Sequence, residues 1–156
     1  MKLKVGVYSF TCCEGCTIVL IEALNKRFDE WTEKIDFIDF RTLRPYTGIH
    51  ETDIAFVEGA ISTESELRKI KEIRKKTKKL VAFGSGAAIG YPSDSRNKFN
   101  AEKLKKIADD LKKFKQIDKI SPLKRFVKVD DVIDGCPVNE KVVAAKMGEY
   151  LNNARL

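Results

Sequence analysis

Four short apolar runs, residues 2–10, 34–40, 53–58 and 79–83, are separated by longer charged stretches whose apolar residues recur at helical spacing. Neighbouring parallel strands cannot be joined by tight hairpins. They need crossovers of a dozen or more residues, usually helices. The chain therefore reads as an α/β protein, a parallel sheet of four to five strands with helices on both faces. Leu3, Val5, Val7 and Tyr8 mark a buried first strand. Asp53–Glu58, an almost unbroken apolar run, reads as a central strand covered on both sides. Helices are expected over 17–31 (Ile18, Ile21, Leu24 and Phe28 inward), 64–78 (Leu67, Ile70, Ile73) and 101–115 (Leu104, Ile107, Leu111, Phe114). A last helix, capped by Asn139, turns Val143, Met147 and Leu151 inward. Segments 41–52 and 91–100 read as loops and 122–132 as an extended stretch. At 156 residues the chain is expected to be one domain, 1–156, able to bury a core without disulfide staples.

In open parallel sheets, ligand loops gather at the carboxyl ends of the strands. Four loops should meet there: 11–16, 58–63, 84–90 and Gly135-Cys136-Pro137. Three of the chain's four cysteines, Cys12, Cys13 and Cys16, fall in the first, and Cys136 falls in the last. No local element needs three thiols so close together, whereas iron–sulfur clusters and zinc are held by thiolates. Zinc sites usually use two Cys-x-x-Cys pairs, and only Cys13/Cys16 is present. A metal-free redox dithiol at Cys13/Cys16 is the alternative, since a helix start lowers a thiol's pKa. Gly84-Ser85-Gly86 with Gly90 departs from the dinucleotide fingerprint and no helix is expected to open there, so nucleotide binding is not expected. His50, the single histidine, reads as a surface residue.

Hydrophobic residues make up 43% and charged residues 34%, with a net charge of +7. The lysines interleave with Asp and Glu, as on solvated helix faces, without an aromatic–basic pattern. Nucleic acid is not an expected partner, and docking of an acidic electron carrier is the rival use of that charge. No run is apolar enough for a membrane span and no export signal is legible. The expected location is the cytoplasm, where clustered cysteines bind metal or do redox work.

The order of Cys13-x-x-Cys16, Val57-Glu58-Gly59-Ala60-Ile61-Ser62, Gly84-Ser85-Gly86-Ala87 and Gly135-Cys136-Pro137 resembles the small subunit of [NiFe] hydrogenases. The likeness is to the short cytoplasmic sulfhydrogenase type, in a family shared with the 20 kDa-type subunit of respiratory complex I. It covers nearly the whole chain. It implies a flavodoxin-like fold and an electron-relay subunit carrying the iron–sulfur cluster proximal to a partner's active site. The bond chemistry is then expected on a hydrogenase-like large subunit. A further iron–sulfur or flavin electron-transfer subunit, or a ferredoxin, is the expected exchange partner. The family loop carries cysteine where this chain has Gly86, so only Cys13, Cys16 and Cys136 occupy family ligand positions. Adjacent cysteines occur in this loop in the complex I branch, so the ligand set read here is Cys12, Cys13, Cys16 and Cys136, holding one [4Fe–4S] cluster. A three-iron cluster, or an oxygen ligand such as Ser85, is the alternative. Glu14, Gly15, Glu58, Gly59, Ser85, Gly86 and Pro137 are expected around it. Two rival functions remain at this point: a non-redox assembly or scaffold subunit with a degenerate site, and a dithiol oxidoreductase.

Overall fold

The computed structural model describes residues 2–153. Five parallel strands, β1 (Leu3–Ser9), β2 (Ile35–Phe40), β3 (Thr52–Glu58), β5 (Thr77–Phe83) and β7 (Asp131–Ile133), form a sheet in the order β2-β1-β3-β5-β7. Counting only these five strands in chain order, the arrangement is 2-1-3-4-5, the flavodoxin-like order. A short antiparallel pair, β4 (Ile61–Thr63) with β6 (Gln116–Ser121), lies outside the sheet.

Alternate strand residues feed two cores. Val5, Val7, Ile54, Phe56, Val81 and Phe83 face one side, where they meet α1 (Gly15–Lys26), α2 (Phe28–Lys34) and α7 (Glu140–Asn153). Ala55, Val57, Leu80 and Ala82 face the other, against Ile70 and Ile73 of α3 (Glu64–Lys76). Period-two alternation with both faces covered explains why β3 and β5 read as unbroken apolar runs. A capping box opens α3: Thr63 Oγ1 accepts from the Glu66 N–H at 3.2 Å, and Glu66 accepts from the Thr63 N–H at 3.1 Å. Asn139 caps α7 as expected, accepting from the Lys141 N–H at 2.9 Å, and Val143, Met147 and Leu151 are buried.

Four expectations are corrected. The expected helix over 17–31 breaks at Arg27, and its buried face is Cys16, Thr17, Leu20, Ala23 and Leu24. Ile18 and Phe28 are exposed, at 51% and 56%. The helix over 101–115 is two short ones, α5 (Ala101–Lys106) and α6 (Ala108–Lys113), parted at Ile107, and neither buries a residue. A helix does open in the glycine loop: α4 (Ser85–Ile89), closed by Gly90. At five residues it spans little more than one turn. The extended stretch expected over 122–132 keeps only β7 as strand; Leu123–Arg125 form a single 3-10 turn.

Candidate metal centre

The loops after β1 and β3 are zipped together. The Thr11 N–H donates to Ala60 O at 3.3 Å, and the Ala60 N–H donates to Thr11 O at 3.1 Å. Only glycine fits between them at 59, where φ is +93° and a Cβ would stand 2.8 Å from Thr11 O. The loops after β5 and β7 are joined likewise, by Gly84 N–H to Ile133 O at 2.8 Å and Ser85 N–H to Gly135 O at 2.9 Å. A Cβ on Gly84 would collide with Cys16 Sγ, so this glycine leaves room for the sulfur.

Glu58, at the end of β3, ties these loops to α1. Its carboxylate accepts from the Cys16 N–H at 3.2 Å, the Thr17 N–H at 2.9 Å and the Thr17 hydroxyl at 2.8 Å. The side chain is only 4% exposed, a cost offset by these donors and by the positive end of the helix dipole. This contact sets the rotation of α1: Cys16 and Thr17 must face inward, which carries Ile18 outward. Ser85 is similarly committed, its hydroxyl donating to Asp134 at 2.7 Å.

The result is a cavity of about 340 Å³ lined by Cys12, Cys13, Cys16 and Cys136, with Glu58, Gly59 and Pro137 among its walls. Gly15, Ser85 and Gly86 line it too. The four thiols are free, Cys16 buried and Cys13 and Cys136 exposed. Burial, reinforced by the Glu58 carboxylate, pushes the Cys12 thiol up to about 11 and the Cys16 thiol up to about 12. Thiols built for exchange sit in electropositive surroundings, whereas these two face an anion. Among the described residues, no three His, Cys, Asp or Glu side chains close on one metal-ion position. One zinc ion would need its donors about 2.3 Å from a common centre. A cluster takes one thiolate per iron and spreads them over its surface, and thiolates set around a small cavity suit it.

Glu14 is not in this cavity. It stands in left-handed conformation at the start of α1 and lines a neighbouring one. Tyr91, Pro92 and Ser93 do wall the thiol cavity, a contribution invisible in a polar loop without periodicity. His50 is exposed, as expected, with its ring Nδ1 2.6 Å from Asp39 Oδ1.

Fold and site together define a doubly wound α/β protein with a thiol-lined cavity where its parallel strands end. The chain belongs to the family described as NADH ubiquinone oxidoreductase, 20 Kd subunit, matched over residues 13–150. The expected kinship with hydrogenase small subunits holds. Similar curated proteins include a subunit of the vhu F420-non-reducing hydrogenase of Methanocaldococcus jannaschii, 29% identical over 97% of this chain and 57% of that protein. Sulfhydrogenase 2 subunit delta of Pyrococcus furiosus is 26% identical over 90% of this chain and 59% of its own length. This chain thus spans little more than half the length of these relatives. In fold it is similar to a chain of the NAD+-reducing [NiFe]-hydrogenase in the H2-reduced state: TM-score 0.86, 21% identity, 98% of this chain and 93% of that one covered. The [NiFeSe] hydrogenase from Desulfovibrio vulgaris Hildenborough gives 0.71 at 14% identity, over 97% and 60% of the two chains.

Proposed function

We propose that this chain is the electron-relay subunit of a hydrogenase-like complex, holding one iron–sulfur cluster, of the [4Fe–4S] type, through Cys12, Cys13, Cys16 and Cys136. The observation that carries the reading is the convergence of all four free thiols on one cavity at the strand ends. The family and the named hydrogenase relatives support it. Bound there, the cluster supplies one-electron transfer between a partner's active site and an outside acceptor. The chain's own task is placement. The paired loops fix Cys12, Cys13 and Cys16 from one side and the Gly135–Pro137 turn brings Cys136 from the other. Glu58 anchors the first turn of α1 without giving up a carboxylate oxygen to metal, and its charge works against ionisation of the neighbouring thiols until iron replaces their protons. Bond making and breaking belong to a large catalytic subunit in this reading, with an iron–sulfur or flavin subunit or a ferredoxin taking the electrons onward.

Cys136→Ala tests it. The variant, reconstituted anaerobically, is expected to lose the visible absorbance and paramagnetic signal of a four-iron cluster while keeping its fold. A variant retaining both removes Cys136 from the ligand set. Gly86, in place of the family cysteine, favours one second reading, a scaffold subunit whose site no longer holds metal. A folded wild-type chain that stays iron-free under the same conditions would select that reading.

A further inference from the structure

A second cavity, of about 600 Å³, lies on the other side of the cysteine loop. The carboxyl ends of β1 and β2, the loop residues Arg41, Thr42, Pro45 and Tyr46, and Lys69 of α3 line it, while Glu14 and Thr17 border it on the cysteine-loop side. That volume lies in the range of small-molecule sites.

The charges around it are unevenly matched. Asp39 is saturated: Oδ2 accepts from the Tyr8 hydroxyl at 2.5 Å and the His50 N–H at 2.9 Å, and Oδ1 lies 2.6 Å from His50 Nδ1. Lys69 and Arg41, by contrast, make no side-chain salt bridge or hydrogen bond among the described residues, although the Glu66 and Asp39 carboxylates act on Lys69 from beyond contact. The Lys69 ammonium is half-buried between two rings, 5.7 Å from the centre of Phe10 and 5.5 Å from that of Tyr46. Burial, and then the charge of Arg41, hold its pKa below the usual lysine range. Two neighbouring cations, one of them desolvated, favour an anion placed between them. Glu14, exposed at the margin, is the only other carboxylate lining the cavity among the described residues.

We propose that this cavity binds a small polyanion, a phosphate ester or a polycarboxylate, between Lys69 and Arg41, with Tyr46 as a flat wall beside it. Ser9 and Thr42 line the same space, and their hydroxyls are donors of the kind such a group takes. A ligand seated there would be one loop away from the thiol cavity. The site does not require the cluster, so its test is separate from that of the electron-relay reading.

Titration of the full chain with pyrophosphate and, in a second arm, citrate, followed by amide NMR, tests the proposal. Saturable shifts grouped at Ser9, Thr42, Tyr46 and Lys69 are expected in at least one arm, and the tighter arm identifies the source of the anionic groups. Lys69→Gln should weaken binding by ~10-fold or more, the scale of one charge-assisted hydrogen bond. Lys69→Arg should retain most of it, and Lys112→Gln, on α6, should change nothing. Absence of saturable shifts in both arms overturns the proposal. So does an equal loss in Lys112→Gln, which would mean diffuse attraction to a basic surface.

Discussion

Gly59 is where the departure from the family's cysteine pattern can be read in three dimensions. A Cβ on Gly86 would stand 3.1 Å from Gly59 Cα, and the same Gly59, if given a Cβ, would meet the Cβ of Cys12 at 3.0 Å. Residues 12 and 86 thus abut one glycine, and the proposed ligand set takes its fourth thiol from residue 12. Cys12→Ala is accordingly expected to abolish the four-iron signal, read by paramagnetic resonance after anaerobic reconstitution. Its survival would reassign the fourth ligand. Gly86→Cys would press on backbone that cannot rotate away, so about 1–3 kcal/mol of destabilisation is expected in denaturant titration.

Among the elements, α1 separates what periodicity reveals from what it conceals. Spacing of large apolar residues favoured a face through Ile18 and Phe28, but the phase is set by Cys16 and Thr17 held on Glu58, and Thr17 and Ala23 carry little apolar signal. Leu20→Ala should therefore cost about 2–5 kcal/mol, as buried leucines do, whereas Ile18→Ala should stay within about 0.5 kcal/mol. Denaturation midpoints compare the two, and equal losses would contradict the assigned phase. The β-rich half of the fold was easier to read, because strands covered on both faces leave unbroken apolar runs and parallel order forces their loops to one edge. Convergence of the cysteine loops followed from that rule. The β4–β6 pair did not, since a three-residue strand and the mostly polar Gln116–Ser121 carry neither alternation nor length. Nor did the breaks at Arg27 and Ile107, which involve neither glycine nor proline.

Taken whole, the molecule presents a net charge of +7 over a sheet whose strand ends carry both cavities, and no helix of the described residues is long and apolar enough to cross a membrane. Acid should loosen it at a definable point. Burial alone would raise the Asp39 pKa, but hydrogen bonds from Tyr8 and from the N–H and ring of His50 outweigh it and hold the carboxyl below its ordinary value. A carboxyl depressed by folding stabilises fully above its unfolded pKa, about 3.9, and loses that contribution as pH falls through the folded value. Asp39→Asn should thus be less stable than the parent at pH 7, with the gap closing below about pH 4. A gap independent of pH would mean that Asp39 acts by shape alone. Iron and acid-labile sulfide counted on the anaerobically reconstituted wild-type chain test the proposed metal centre most directly. The expected result is ~4 of each per chain, bound by thiols that resist alkylation until the metal is removed. A folded chain that takes up neither, and whose four cysteines react freely throughout, would contradict it.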